Sequence, residues 1–116
     1  MTQIKIKNHL VGHGCPPFIV AEAGINHNGN VDTAFKMIKL AKKSGVDAIK
    51  FQTFKAKEVV ADSKQMFTYK SQDKEITEPM LEMLKRCELS RDAWIDIKNK
   101  CDEEKIMFLS TPQNNS

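Results

Sequence analysis

The stretch that decides the fold is residues 18–30, which read FIVAEAGINHNGN. Phe18 to Ala21 form a continuous apolar run of strand length, the pattern of a strand that is buried on both faces. The run stops at Glu22, and a polar, glycine-rich loop follows. Asn30, at the end of this loop, is a residue type that caps helix N-termini well, so a helix is predicted to begin directly after it.

The segment after Asn30 predicts an amphipathic helix and then a second buried strand. Apolar residues recur at three- and four-residue spacing from Val31 to Ala41, which is the helical period. Gly45 marks the predicted end of this helix, and residues 46–51 form a second short apolar run, followed by Gln-Thr. Strand, loop, helix, glycine and strand in this order predict a βαβ unit with a parallel sheet.

The remaining segments continue the alternation with one long interruption. Residues 54–77 lack a clear period and predict a long loop with a short helix; loops of this length usually act as lids or binding loops. Pro79 fits the first turn of a helix, and Ser90 is the predicted N-cap of another. Residues 106–109 predict a third strand, which ends in Ser-Thr-Pro. Upstream, residues 4–11 predict a short hairpin or a leading strand outside the main fold.

The composition is that of a globular protein and argues against several classes of function. The 116 residues are 41% hydrophobic and 28% charged, and neither a transmembrane helix nor a secretory signal is expected from the pattern. The net charge of +3 comes from interleaved Lys and Glu, which argues against nucleic-acid binding. The three cysteines include no Cys-x-x-Cys pair, so free thiols in a reducing cytoplasm are expected rather than a zinc site or disulfides.

Polar residues stand at the same relative place at the end of each predicted strand. They are Glu22, then Lys50 with Gln52, then Thr111. Side chains alternate across a strand, so Lys50 and Gln52 share one face, which in a parallel barrel points at the barrel axis. Barrel enzymes keep their active sites at the C-terminal ends of the strands. A carboxylate, an ammonium, an amide and a hydroxyl that converge there would suit a polar, anionic substrate.

Each of these residues also has a purely structural interpretation. Glu22 could accept hydrogen bonds from the loop that follows it, and Thr111, which precedes a proline, could be a turn residue. Lys50 is flanked by apolar residues and is therefore predicted to be enclosed, which requires an anionic partner, either Glu22 or a ligand. His27 has no second residue at metal-ligand spacing, so a structural hydrogen bond is the favoured interpretation of this side chain.

Three long motifs, in order and at the right spacing, resemble the sialic acid synthase family. They are residues 18–29, residues 48–56 (AIKFQTFKA) and residues 106–112 (IMFLSTP), and the segment 83–90 (MLKRCELS) also fits in its expected place. The resemblance runs from about Ile4 to Pro112. The Ala-Glu-Ala-Gly opening and the Phe-Gln-Thr-Phe-Lys segment are more similar to the N-acetylneuraminate and legionaminate branch than to the pseudaminate branch.

The resemblance implies an α/β fold that is the N-terminal portion, about three βα units, of a (β/α)8 TIM barrel preceded by a short β-hairpin. Residues 1–17 would be the leading hairpin and linker, residues 18–112 a partial TIM-barrel synthase domain, and residues 113–116 a disordered tail. Three strands cannot close an eight-stranded barrel, so the isolated chain is expected to be catalytically inactive and either marginally stable or prone to aggregation.

The resemblance also implies a reaction. Members of the family are transferases that condense phosphoenolpyruvate with N-acetylmannosamine or a related N-acetylated amino sugar and release phosphate. They use a divalent metal, Mn or Mg, as a Lewis acid on the sugar aldehyde, and they are homodimers. The histidine pair that binds this metal in relatives has no counterpart in the matching region, so the sequence assigns no metal ligand to this chain.

Carried over residue by residue, the resemblance gives each strand-end residue a role. Lys50 would pair with the negative charge of phosphoenolpyruvate, and Thr111 would hydrogen-bond to the same ligand. Glu22 and Gln52 would face the sugar, with Glu22 as the candidate catalytic residue for proton handling. Two other interpretations stay open: a non-catalytic partial barrel that complements another chain, and a different phosphoenolpyruvate-dependent aldol synthase.

Overall fold

The computed structural model of the protein describes residues 2–113, which form an α/β fold around a three-stranded parallel sheet. The elements in chain order are β1 (Gln3–Ile6), β2 (His9–Gly12), β3 (Val20–Gly24), α1 (Val31–Lys43), β4 (Ala48–Thr53), α2 (Ala56–Val59), β5 (Met66–Ser71), β6 (Lys74–Pro79), α3 (Met80–Cys87), α4 (Arg91–Glu104) and β7 (Met107–Pro112). The sheet has the order β3-β4-β7, and β1–β2 and β5–β6 are separate antiparallel hairpins. The predicted α/β class is confirmed, while the assignment of these units to the N-terminal portion of a (β/α)8 barrel stays a prediction.

The two long helices begin where their caps were predicted. The Asn30 side chain accepts a hydrogen bond from the Thr33 N–H (3.1 Å), and the Ser90 hydroxyl accepts one from the Ala93 N–H (3.1 Å). These bonds satisfy backbone donors that the first turn of a helix leaves free. At the other end of α1, Gly45 takes the left-handed conformation (φ 83°) that a glycine adopts without strain.

The main core lies between the sheet and the helices α1 and α4. Ile49 and Phe51 of β4 are almost fully buried on this side of the sheet. Burial of a side chain of this size stabilises the fold by about 1.5–3 kcal/mol. The residues that meet them are Ala34, Ile38 and Ala41 of α1 and Ile97 and Cys101 of α4. The helices therefore cover one face of the sheet, and the alternate residues of β4, including Lys50 and Gln52, point to the other face.

The three parallel strands extend further towards their C-terminal ends than the apolar runs predicted. The first predicted strand, residues 18–21, is observed as β3, which begins at Val20 and continues through Glu22. The backbone groups of Ile19, just before the ladder, bond to Asp47 instead. The Ile19 N–H donates to the Asp47 carboxylate (2.8 Å), and the Ile19 carbonyl accepts from the Asp47 N–H (2.9 Å). Ladder hydrogen bonds involve only the backbone, so a strand can continue into polar residues.

The prediction of a long loop at residues 54–77 is wrong in part. The short helix exists as α2, but residues 66–79 form a β-hairpin, in which Tyr69 pairs with Ile76. The strands reverse at Gln72 and Asp73, which both have positive φ (51° and 63°). Two-residue turns of this kind match the right-handed twist of the strands, but they favour Asn-Gly or Asp-Gly, so Gln72-Asp73 is not a typical turn signal.

The leading segment is a hairpin, one of the two structures predicted for it. β1 and β2 pair antiparallel, and His9 of β2 places its Nε2 3.4 Å from the Asp47 carboxylate at the start of β4. Within residues 2–113, no helix is long and apolar enough to cross a membrane. The predicted tail lies outside the described residues except for Gln113, whose N–H donates to the Thr53 carbonyl (3.0 Å). The division at residues 17 and 112 stays a prediction.

Candidate active site

The four strand-end residues share the face of the sheet that the helices leave uncovered. Glu22 pairs in register with Lys50, and Gln52 pairs in register with Thr111. Residues in register on parallel strands point to the same side, and Lys50 and Gln52 are two positions apart on β4, so all four lie on one face. The four occupy neighbouring parallel strands towards their C-terminal ends.

Lys50 and Glu22 form an ion pair across β3 and β4, with 3.3 Å between Nζ and Oε2. The prediction that Lys50 is enclosed is wrong for this chain, because its side chain is 39% exposed and that of Glu22 is 51% exposed. The flanking residues Ile49 and Phe51 face the helices and therefore do not cover the lysine. An ion pair this exposed contributes only about 0–1 kcal/mol to stability. Both charges are therefore available to a ligand.

Glu22 and Gln52 both lie beside Gly24, where the register of β3 against β4 shifts. Glu22 is opposite Lys50, but Gly24 is opposite Phe51, so β3 contains one extra residue at this point. A Cβ atom placed on Gly24 would lie 3.5 Å from Glu22 Oε1 and 3.7 Å from Gln52 Nε2. The carboxylate and the amide therefore flank the same glycine, where the strand turns into the Asn26–Gly29 loop.

Neighbouring hydroxyls at the end of β7 separate to opposite faces. Thr111 is exposed and shares the face of Gln52. Ser110 is opposite Phe51, and its hydroxyl makes a short hydrogen bond with the Thr53 hydroxyl. Ser110 therefore ties β7 to β4 on the helix side of the sheet, and Thr111 alone of these two residues belongs to the candidate site.

His27 acts as a structural hydrogen-bonding residue, as the sequence favoured. Its side chain is fully buried, and its Nδ1 accepts a hydrogen bond from the Gly29 N–H (2.9 Å). The ring contacts those of Phe51 and Trp94, with centroids 6.1 and 6.2 Å away. Burial lowers the pKa of His27, which favours the neutral ring with its proton on Nε2. Nε2 finds no hydrogen-bond partner among residues 2–113.

The second hairpin and α3 carry a polar cluster that was not predicted from the sequence. Arg86 donates two hydrogen bonds to the Glu78 carboxylate (2.5 and 2.8 Å), and the Tyr69 hydroxyl donates to it as well (2.5 Å). The bonds from Arg86 and Tyr69, in this order of importance, lower the pKa of Glu78 to about 2. Phe67 and Tyr69 alternate with polar residues along β5, and Ile76 stands opposite Tyr69 on β6. This pattern was the available signal for the hairpin, but the untypical turn made it hard to recognise.

An apolar groove of about 510 Å³ lies on the helix side of the sheet, away from these polar residues. Trp94 of α4 and Phe108 of β7 form much of its wall, together with Leu89. The two aromatic rings pack edge to face, with their centroids 6.2 Å apart. This groove offers contact area but few groups for chemistry, so it is not the candidate active site.

The described residues do not provide a metal centre. No group of three or more His, Cys, Asp or Glu side chains with the geometry of a metal site occurs within residues 2–113. Glu22 is the one carboxylate among the four strand-end residues, and Lys50 already pairs with it. The divalent metal that the resemblance implies therefore does not fit a site made by this part of the chain alone.

The polar residues lie on the open face of a parallel sheet, at the C-terminal ends of its strands, and helices cover the opposite face. This arrangement is typical of α/β proteins that carry their active sites at the strand ends. The NeuB family matches residues 37–116 of this chain. This match covers more than half of the residues, and the chain belongs to the NeuB family.

Named relatives agree with this assignment. The chain is 35% identical to the Bacillus subtilis spore coat polysaccharide biosynthesis protein SpsE over 96% of this chain and 29% of that protein. It is 39% identical to the N,N'-diacetyllegionaminic acid synthase of Legionella pneumophila over 81% of this chain and 26% of that enzyme. The chain thus spans less than a third of these relatives.

A solved structure supports the same fold. The crystal structure of N-acetylneuraminic acid (sialic acid) synthetase from Leptospira borgpetersenii serovar Hardjo-bovis, in complex with citrate, superposes with a TM-score of 0.81 and 27% identity. The superposition covers 97% of this chain and 35% of that one. The predicted resemblance to sialic acid synthases is confirmed, including its restriction to the N-terminal part of these enzymes.

Proposed function

We propose that this chain carries part of the substrate site of a nonulosonic-acid synthase, built on the first strands of a (β/α)8 barrel. The observation that carries the proposal is the common face of Glu22, Lys50, Gln52 and Thr111 on neighbouring parallel strands. A member of the NeuB family with a carboxylate, an ammonium, an amide and a hydroxyl on one face has groups of the kind that phosphoenolpyruvate and an amino sugar require.

Lys50 and Thr111 are the proposed phosphoenolpyruvate ligands. Phosphoenolpyruvate is strongly anionic, so it needs a fixed cation and hydrogen-bond donors. Lys50 supplies the cation from the middle strand of the sheet, and Thr111 supplies a hydroxyl from the adjacent strand. In the absence of ligand, the lysine pairs with Glu22. Binding would replace this exposed pair with a charge-assisted hydrogen bond to the phosphate or the carboxylate, which is the stronger kind.

Glu22 and Gln52 are the proposed contacts to the amino sugar. Their side chains flank Gly24, which bears no Cβ between them. The amide can hydrogen-bond to sugar hydroxyls, and the carboxylate is placed to hold or transfer a proton at the oxygen of the aldehyde. Release of the Glu22 carboxylate from Lys50, when phosphoenolpyruvate takes the lysine, would leave it free for this role.

The proposed reaction forms a bond between C3 of phosphoenolpyruvate and the aldehyde carbon of the sugar. Water then adds at C2, and the bond between C2 and the bridging phosphate oxygen breaks. Inorganic phosphate leaves, and a 2-keto acid remains. N-acetylmannosamine or a related amino sugar is the proposed acceptor. A divalent metal, a homodimer and a cytoplasmic location are further predictions from the family resemblance.

A chimera tests the proposal directly. Residues 2–112 would replace the matching N-terminal segment of the Legionella relative, and phosphate release from phosphoenolpyruvate with an N-acetylated amino sugar would be measured. Lys50→Gln in the chimera should lower kcat/KM by about tenfold or more, because a hydrogen bond to a charged group contributes about 1.5–3 kcal/mol. Lys39→Gln, which removes the same charge from the exposed surface of α1, should leave kcat/KM unchanged.

The outcomes separate clearly. A correctly folded chimera that shows no sugar-dependent phosphate release would refute the assignment of this segment to the synthase site. Equal losses from Lys50→Gln and Lys39→Gln would remove Lys50 from the phosphoenolpyruvate site. The isolated chain is predicted to release no phosphate, and measurable turnover by it alone would contradict that prediction.

A second candidate function is a partial barrel that another polypeptide completes. It is favoured by the sheet order, in which β3 and β7 each lack a neighbour on one side within the described residues. An open strand edge presents unpaired backbone groups that can pair with a further strand. Co-expression with the remaining part of a relative, followed by size-exclusion chromatography, would give a discrete complex if this function is correct and two separate peaks if it is not.

A further inference from the structure

The loop between β3 and α1, residues 25–30, is built from three consecutive turns. In each turn a backbone N–H donates to the carbonyl three residues earlier, at 3.0 to 3.1 Å, and the pairs are Asn26 to Ala23, Asn28 to Ile25 and Asn30 to His27. Bonds of this kind fix the local shape of a loop. They do not tie it to the middle strand of the sheet.

The His27 side chain connects this loop to the core behind the middle strand. It is fully buried, and its ring centroid lies 6.1 Å from that of Phe51 on β4 and 6.2 Å from that of Trp94 on α4. Phe51 stands between Lys50 and Gln52 on β4, and those two side chains point to the opposite face. The loop is thus anchored from behind the strand that carries two of the four strand-end residues.

Packing alone does not require a histidine at this position. The Gly29 N–H donates to His27 Nδ1 (2.9 Å), so in the neutral ring the proton is on Nε2. Nε2 is buried without a hydrogen-bond partner among residues 2–113, and an unpaired buried donor costs free energy. A phenylalanine would fill the space without this cost, but it could not accept the Gly29 N–H. The property specific to His27 is therefore the acceptor that it places inside the core.

The bond to Gly29 acts at the point where the loop meets α3. A Cβ atom on Gly29 would lie 1.9 Å from the Arg86 carbonyl oxygen, so the loop backbone lies directly against the end of this helix. At the start of the loop, Gly24 is flanked by Glu22 and Gln52. A loop that is held both against α3 and behind β4 keeps the end of β3, and with it the Glu22 carboxylate, in one position.

We propose that His27 is a positioning residue for the candidate active site: its Nδ1 bond to Gly29 holds the loop after β3 and thereby fixes the Glu22 carboxylate. The inference rests on the proposed function and adds a residue that acts on the reaction without contact to substrate. The proposed phosphoenolpyruvate ligands lie on β4 and β7, whose register does not involve the loop. Loss of the bond should therefore slow the step at the sugar aldehyde and leave the binding of phosphoenolpyruvate unchanged.

Two variants separate the acceptor from the packing of the ring. His27→Phe keeps an aromatic ring in the core and removes the acceptor. His27→Asn removes the ring, but an asparagine side chain readily accepts from the backbone N–H two residues on, so it restores the bond to Gly29. The two variants should therefore have opposite effects on activity and stability.

The kinetic measurements use the chimera with the Legionella relative. His27→Phe should lower kcat about tenfold at an unchanged KM for phosphoenolpyruvate and a nearly unchanged melting temperature, because a small misplacement of a reacting group is enough for such a loss. His27→Asn should have a lower melting temperature but a kcat within about twofold of the wild type, measured well below that temperature.

Ile38→Val is the matched control for lost packing. Ile38 is fully buried in the main core on α1, so this variant should lower the melting temperature and leave kcat unchanged. The proposal is overturned if His27→Phe retains the kcat of the wild type. It is also overturned if kcat falls in all three variants in proportion to the melting temperature, since that result describes a purely structural role.

Hydrogen exchange on the full chain, followed by two-dimensional ¹H–¹⁵N NMR, tests the contact without any substrate. The amides of Gly29 and Asn26 should exchange about three- to tenfold faster in His27→Phe, the effect of one lost hydrogen bond, and at nearly the wild-type rate in His27→Asn. Unchanged exchange in His27→Phe would overturn the proposal. A wild-type chimera without sugar-dependent phosphate release would count against the proposed function, whereas the exchange rates would still decide whether His27 holds the loop.

Discussion

Replacement of Gly29 by alanine is expected to destabilise the protein more than the same replacement at another left-handed glycine. Gly29 has φ 75°, and a Cβ atom at this position would lie 1.9 Å from the carbonyl oxygen of Arg86. The loop thus approaches the end of α3 so closely that only glycine fits. Gly45 offers a matched control, because its φ is 83° and no atom of the described residues comes within 4 Å of its Cβ position.

The expected magnitudes follow from this difference. A left-handed conformation costs an alanine about 1–2 kcal/mol, and this penalty applies at both positions. At Gly29 the backbone carbonyl of Arg86 must also move, and overpacking of this kind costs a further 1–3 kcal/mol or so. The sums are about 2–5 kcal/mol for Gly29→Ala and about 1–2 kcal/mol for Gly45→Ala. Small domains have a total stability of only about 5–15 kcal/mol, so the first variant would lose a large part of it.

Urea unfolding followed by tryptophan fluorescence would measure both variants. Trp94 is the single tryptophan of the chain and packs on Phe51 and Phe108, so its emission reports on the main core. A far-ultraviolet circular dichroism curve on the same samples would show whether unfolding is two-state. If the two variants lose stability equally, within about 0.5 kcal/mol, the close approach of the loop to α3 does not contribute to stability and the reasoning fails.

Three further predictions concern a helix cap, a carboxylate and a thiol. Asn30→Ala should lower the free energy of unfolding by about 1 kcal/mol in urea titrations, because the N-cap hydrogen bond of α1 is lost; no change would contradict the capping role. The pKa of Glu78 is about 2, below its ordinary 4.5, because Arg86 donates to it. Its contribution to stability is therefore present above pH 4.5 and is lost as the pH falls towards 2; Glu78→Gln should flatten the curve of stability against pH in this window, and parallel curves would refute the prediction. Burial raises the pKa of the Cys101 thiol to about 11, so Cys101 should react with a thiol reagent only after unfolding. The partly exposed Cys15 should react in the native protein. Mass spectrometry of the modified peptides would show the order of reaction, and the opposite order would contradict the prediction.

The periodic segments of the fold could be predicted from the sequence. The caps at Asn30 and Ser90 and the alternation of apolar strands and helices correspond to α1, α4 and the parallel sheet. The strand ends could not be located, because backbone ladders continue into polar residues such as Glu22 and Gln52. The second hairpin was missed because Gln72-Asp73 reverses the chain without a glycine.

The candidate site could also be predicted only in part from the sequence. Alternation along β4 correctly predicts that Lys50 and Gln52 share a face, and the register with β3 and β7 adds Glu22 and Thr111 to it. The degree of enclosure of Lys50 could not be predicted, because it depends on what covers the face and not on neighbours in sequence. The hydrogen bonds of Tyr69 and Arg86 to Glu78 depend on a hairpin that was not predicted, so these contacts could not be predicted either.

Phe54, Ala56 and Cys87, which lie around α2 and α3, form an apolar cluster that is distinct from the cluster under the sheet. β5 and β6 pair only with each other within the described residues, and the sheet receives no ladder bond from them. A longer or different second hairpin would consequently leave the register of β3, β4 and β7 unchanged. Changes in the hairpin are therefore expected to leave Glu22, Lys50, Gln52 and Thr111 in their positions on the open face of the sheet.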